Sequence, residues 1–514
     1  MKPIFAHKEK LFAGITFPQK VWNLEAEGLI GISHYVSSRD KDRRGENMLF
    51  LYHKDDLYNA RYTCRCGYLI EHILHLVDQK AMLISTGQYD GGLSYEGELI
   101  LWSYLEGEIT VQQKGRHFLS CEYTDYSRIK TNVMPQDDQE AEEGYAEIHS
   151  YLLPHPLQAF QFVQDLDLLS RQLIKLNYPN RYEESNKAVN QMRLLANSPG
   201  WRPSGPIMQV VVVKSIVVAA VGNFGLKLFN DRLNLISEKY LGFGHPRDLL
   251  KFGDKVLLNY VVSPTQKTGS RLCSQIYLWS YEKSEIELVI EWYQCSVSIL
   301  ENKYLLLYAI DLNVSRGIHE AIVINLEHGE MSGTTIEPRF LFFKNQGVSA
   351  SAYALHFTSA LGVSMVSVSP ELVQDTLVEF KPKFDVKYIN LGFVIDHLFV
   401  FNGVKAASFA WESEYFICVY NIQTKEVRQL CTYKDEYEEI EVIKRGGEYF
   451  VFALTKENEL DVISIQTGKL SERIDVSNFG VNEAISFVID DDDLVLGTRY
   501  GDVFRMPQYL KAET

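Results

Sequence analysis

The chain has 514 residues, 46% hydrophobic and 23% charged, an ordinary globular balance with ample apolar material for a core. Its formal net charge of -16 comes with no dense lysine and arginine stripe, which disfavours nucleic acid or anionic membrane as a partner, because both require a concentrated cationic face. Seven cysteines, odd in number and scattered, do not make a disulfide framework and fit a reducing compartment.

In chain order, Met1 to Lys10 has no apolar signal-peptide core. A strand near Pro3 to Ile15 is available to complete a sheet elsewhere. Arg39 to Arg44 is a run of mixed charge, read as a solvated loop. Strand phrases of one kind then recur. They are Leu49–Tyr52, Leu99–Tyr104, Leu226–Phe229, Ile276–Tyr281, Ile322–Asn325, Leu377–Phe380, Ile417–Tyr420, Leu460–Ile463 and Val503–Phe504. From Phe229 onward their spacing averages roughly 46 residues, the period of a four-stranded unit. Two of them spell the same words. Leu101-Trp102-Ser103-Tyr104 leads to Glu108-Ile109, and Leu278-Trp279-Ser280-Tyr281 leads to Glu285-Ile286. Equivalent places in a repeat predict that Trp102 and Trp279 pack between neighbouring units.

The best metal-like spacing is Cys64-x-Cys66 with His72-x-x-His75, two thiolates and two imidazoles. Cys-x-Cys is tighter than usual, and a strand over Ile70 to Val77 would put His72 and His75 on opposite faces. The four therefore read as strand residues, and no metal or cofactor is expected. The repeat breaks between 135 and 205. An acidic run comes first, with Asp137, Asp138, Glu140, Glu142 and Glu143. Pro156 to Asn177 then has helical period, with Ala159, Phe162, Val163, Leu166, Leu169, Leu173 and Leu176 on one face. A second helix is predicted from Tyr182 to Asn197, stopped by Ser198-Pro199-Gly200 ahead of Trp201.

Beyond the break, Val210 to Val221 is apolar but interrupted by Lys214-Ser215, and is far short of the ~20 residues of a membrane span. Polar turns such as Gln466-Thr467-Gly468-Lys469 separate the later strands. The last unit, Ala484 to Met506, lacks an outer strand that the N-terminus could supply. Its Asp490-Asp491-Asp492-Asp493 lacks the spaced pattern of a calcium loop and reads as a hairpin turn.

Gly244-His245 opening a unit that reaches Trp279-Ser280, together with Thr467-Gly468-Lys469, resembles the WD-repeat and quinoprotein-like β-propellers in degenerate form. The adjacent cysteine pair used by many quinone-dependent alcohol dehydrogenases is absent, so the resemblance implies a fold and no cofactor. The expected architecture is all-β: a propeller of four-stranded antiparallel blades, seven in number with eight as the alternative, carrying a helical insertion. Residues 1–134 supply N-terminal blades, 135–205 the insertion, and 206–514 the remaining blades.

No nucleophile elbow, phosphate loop or His-Glu-x-x-His helix is present, and no catalytic residue is named. The reading is a cytoplasmic, non-catalytic protein-interaction scaffold, in its specific version an inhibitor or immunity-type protein, that captures a basic protein partner. Asp137, Asp138, Glu140, Glu142, Glu143 and Trp201 are the candidate contact residues. The alternative is an enzyme or carbohydrate-type binder working through the central channel.

Overall fold

A computed structural model of the chain describes residues 4–8, 11–36, 46–89, 95–125, 128–135, 139–140, 143–152, 174–175, 181–222, 224–242, 244–262, 272–282, 285–309, 319–336, 340–342, 344–345, 352–357, 363–368, 374–380, 386–405, 414–433 and 437–509. The described residues form ten sheets, each built on four antiparallel strands. Two compact units divide them: 9–204, and 205–514 joined by 1–8.

The smaller unit holds three sheets. Sheet 1 is Pro18–Leu24, Leu29–Val36, Glu46–His53 and Tyr62–Cys66; sheet 2 is Leu69–Leu76, Ala81–Tyr89, Glu98–Ser103 and Glu108–Lys114. Sheet 3 is Phe118–Asp125, Arg128–Val133, Tyr145–Leu152 and Ile174–Lys175. Sheet 3 carries no recurring strand phrase, and its third strand lies beyond residue 135, inside the stretch expected to break the repeat. Its fourth strand, Ile174–Lys175, pairs with Tyr145 and Ala146. The helix expected over Pro156 to Asn177 therefore does not extend to its proposed end, and its residues 156–173 lie outside those described.

The second expected helix is present as Arg181–Leu195. It ends in a Schellman arrangement: Asn197 is left-handed at φ 49°, its N–H donates to the Leu194 carbonyl at 3.1 Å, and the Ser198 N–H donates to the Arg193 carbonyl at 3.0 Å. The helix packs on the first strand of sheet 1. Val189 and Met192 join Phe12, Ile30, Ile32 and Tyr52 in one apolar cluster there.

The larger unit holds seven sheets. Their first strands are Ile207–Val213, Gly244–Phe252, Cys295–Leu300, Phe340–Phe342, Val386–Ile395, Glu439–Arg445 and Ala484–Asp490, opening sheets 4 to 10. Lys344–Asn345 adds a short parallel strand to sheet 8. Sheet 7 has Val363–Val368 as its third strand, so the phrase Leu377–Phe380 lies on the fourth. The fourth strand of sheet 10 is Phe5–His7, paired with Val503–Arg505. First strands touch in succession from sheet 4 through sheet 6 to strands of sheets 7 and 8. Contacts then run from sheet 8 to 9 and from 9 to 10, and sheet 10 packs back on sheet 4. The core lies between consecutive sheets, as where Val495 and Val503 meet Ile207, Val210 and Val217.

One irregularity recurs in the first strand of sheets 1, 2, 3, 4, 5, 8 and 10. The register slips by a residue near its start, at Gln19, Glu71, Leu119, Met208, Arg247 and Ile485 and twice in sheet 8. Such bulges re-aim side chains at the strand end. They set polar links between neighbouring first strands: Ser486 Oγ donates to the Ile207 carbonyl at 2.6 Å, and Gln209 Nε2 to the Arg247 carbonyl at 3.1 Å.

Candidate functional site

The twin tryptophans occupy the same register. Trp102 lies between Met82 and Ile109 on its neighbouring strands, and Trp279 between Val256 and Ile286. Both are buried, each against the sheet that precedes its own: Trp102 meets Leu49 and Leu51, and Trp279 meets Val213 and Leu228. The tyrosine two residues on meets its indole edge-on in both, Tyr104 at 6.0 Å and Tyr281 at 6.4 Å between ring centroids.

Each tyrosine then grips the first hairpin of the preceding sheet. Tyr104 donates its hydroxyl to Glu27, which also accepts from Lys80, and His75 Nε2 lies 3.3 Å from the Tyr104 hydroxyl. Burial opposes the Glu27 charge, but the Lys80 and Tyr104 hydrogen bonds outweigh it and hold the carboxyl below its usual range. Burial pushes the His75 imidazole down, against the opposing pull of Glu27. In the larger unit Lys214 sits over the Tyr281 ring at 4.4 Å and reaches Asp254 at 3.9 Å.

A second cluster joins the three sheets of the smaller unit. Lys20 Nζ donates to the Glu71 carbonyl at 2.8 Å and to its carboxylate at 2.9 Å. His117 Nε2 lies 3.3 Å from the other Glu71 oxygen, and Glu184 on the helix lies 3.8 Å from Lys20. Burial would raise the Glu71 carboxyl, yet His117 and Lys20 hold it at about 2. Gly87 makes room: a Cβ there would sit 1.7 Å from the His117 ring.

The four metal-candidate residues are not brought together. Cys64 and Cys66 share one face of their strand inside the core, and the Cys64 hydrogen bond and burial raise the Cys66 thiol well above its usual range. His72 Nδ1 is 3.6 Å from the buried Cys121 sulfur, in sheet 3, whereas His75 faces Glu27 of sheet 1. The strand's two-residue period separates them. Among the described residues, no group of three or more His, Cys, Asp or Glu is placed to hold a metal. Burial raises the Cys121 and Cys295 thiols to about 12.

Of the candidate contact residues, Asp137, Asp138 and Glu142 lie outside those described. Glu140 is half-buried, and Glu143 is exposed and accepts from the Gln139 side chain at 3.1 Å. Trp201 does not face outward. It is buried against Phe12, ring centroids 5.3 Å apart, because the helix end turns it into the apolar cluster beneath. Asp490 pairs with Lys251 at 3.1 Å and Asp493 with Arg505 at 2.6 Å, across a two-residue hairpin turn.

Sequence reasoning missed a further series. The fifth residue of the second strand is a buried polar one in sheets 1, 2, 5 and 8: Ser33, Ser85, Asn259 and Asn402. Asn259 shows its use, donating to Asp248 and to the Cys295 carbonyl of the next sheet, both at 2.8 Å. The signal was a single Ser or Asn closing an apolar run, as in Val256-Leu257-Leu258-Asn259.

No family model matches the chain, and no curated protein matches it. Among solved structures it is similar to the Pan2 WD40 domain of Neurospora crassa, at 12% identity and TM-score 0.44, over 61% of this chain and 93% of that one. It is also similar to the N-terminal domain of Nup159, at 13% identity and TM-score 0.38, over 59% of this chain and 89% of that one.

Proposed function

We propose that the chain is a non-catalytic interaction scaffold that captures a basic protein partner, its larger unit a seven-bladed β-propeller. The succession of seven sheets, with the last packed on the first, supports the propeller reading. The scaffold reading rests chiefly on how the reactive side chains are used. Glu27, Lys80, Tyr104, Lys20, Glu71 and His117 are spent joining one sheet to the next.

Among the described residues, the Glu27, Asp56, Glu71 and Asp396 carboxyls and the His34, His72, His75 and His245 imidazoles are held below their usual ranges. The Cys66, Cys121, Cys295 and Cys431 thiols, the Tyr52, Tyr104 and Tyr260 phenols, and Lys303 and Lys444 are raised. For carboxyls, thiols and lysines, general acid–base or nucleophilic catalysis at neutral pH needs the opposite tuning. The net charge of -16 supports a basic partner by long-range attraction.

Cross-linking in native lysate at about 0.05 M and about 0.5 M salt tests this, since the higher salt screens such attraction beyond a few ångströms. Basic partners are expected at low salt only, and fewer of them when Asp137, Asp138, Glu140, Glu142 and Glu143 are replaced by their amides. A partner set indifferent to both changes removes charge capture.

A further inference from the structure

The last strand of each sheet is an edge, with backbone N–H and C=O groups that another chain could pair with unless something prevents it. Sheets 2, 4, 5, 7, 8 and 9 share one device, a single extra residue in the fourth strand that breaks the register: between Val111 and Gln113, then at Ile236, Val289, Leu377, Leu430 and Ser471. In sheets 3 and 10 the fourth strand is only two and three residues long. Sheet 1 has a regular edge, Tyr62–Cys66, but it carries Arg65, 69% exposed.

Sheet 6 has none of these protections. Its fourth strand, Met331–Ile336, is six residues in unbroken register with His319–Ile324. The sequence Met331-Ser332-Gly333-Thr334-Thr335-Ile336 contains no charge and no proline. Met331 is 65% exposed, Ser332 and Gly333 are exposed, and no strand pairs on the outer side among the described residues.

We propose that Met331–Ile336 takes an added β-strand from a partner protein, one bearing a basic residue opposite the Glu327–Glu330 turn. Main-chain hydrogen bonds supply the affinity in this mode of recognition. The turn entering the strand is Glu327-His328-Gly329-Glu330, with Glu330 exposed and Glu327 61% exposed. An added strand reaching past Met331 meets the exposed Glu330 carboxylate, which favours lysine or arginine, while Glu327 is paired with Lys303 at 3.5 Å. A second copy of this chain is a poor occupant, because each copy carries -16. The proposal deepens the interaction reading above by giving it a surface.

The probe is a synthetic Lys-Val-Thr-Val-Thr-Val-Lys peptide, with a lysine opposite the turn in either strand direction, added to the full chain and followed by fluorescence anisotropy and amide hydrogen exchange. Protection of amides 331–336 is expected. Binding about tenfold weaker, ~1.4 kcal/mol, is expected for the peptide with both lysines replaced by glutamate, for one N-methylated at alternate amides, and for the chain variant Ser332→Lys. Ile236→Lys, on a bulged edge, leaves binding unchanged, and melting curves show both variants folded. Protection elsewhere, or unchanged affinity in folded Ser332→Lys, overturns the proposal. So does a concentration-dependent dimer that protects 331–336, which would assign the edge to a second copy. If Ser332→Lys still captures the salt-sensitive partners, the edge proposal fails while the scaffold reading stands.

Discussion

His34 shows how one residue can set the pH range of a unit. Its ring is fully buried beside Phe50 and accepts from the Thr16 N–H at 3.5 Å, and burial drives its pKa down to about 3. A folded value depressed below the unfolded 6.5 gives stability that is whole above pH 6.5 and is lost as pH falls toward 3. Between pH 7 and pH 5 the smaller unit should lose about 2 kcal/mol from this group, and His34→Gln should flatten the dependence. Urea unfolding followed by tryptophan fluorescence at the two pH values checks it; a slope unchanged in the variant refutes it. The twin tryptophans give a second test at this scale. Trp102→Ala and Trp279→Ala should each cost about 3–5 kcal/mol, since each removes a large ring from between two sheets. Guanidinium unfolding measures both, and a cost near zero for either would break their equivalence. Their repetition was plain in the sequence, and so was their inward role. The grip of Tyr104 on Glu27 was not, because 77 residues separate the partners.

At the scale of elements, the strand phrases were legible because apolar runs between polar turns keep a regular spacing. Sheet 3 was hidden: its strands, such as Arg128-Ile129-Lys130-Thr131-Asn132-Val133, alternate without the dense apolar run of the others. The bulges were hidden too, since an extra residue such as Ile236 or Ser471 shows only when two strands are laid side by side. Phe5–His7 carries the clearest consequence. It closes the edge of Val503–Met506, and Phe5 packs against the cluster shared by sheets 4 and 10. Deleting residues 1–8 should destabilise the larger unit by about 2 kcal/mol, from lost apolar burial and lost pairing, and expose an edge that promotes association. Thermal melting and light scattering of the truncated chain test this; an unchanged melting point and a monodisperse truncated chain would show the strand to be dispensable.

For the molecule as a whole, the sequence by itself determined the class of structure and the charge. Apolar runs at strand length, a period near 46 residues and a recurrent Leu-Trp-Ser-Tyr phrase specify repeated antiparallel sheets, because pattern and turn chemistry are local properties of the chain. The net charge needs no fold at all. Only the tertiary structure decided that three sheets separate from seven, that Trp201 turns inward, and that His72 and His75 part to different neighbours. It also decided that Met331–Ile336 is a six-residue edge with neither a bulge nor a charged residue. These depend on which strands meet across long stretches of chain and on which face each side chain takes, and a one-residue slip in register reverses that face.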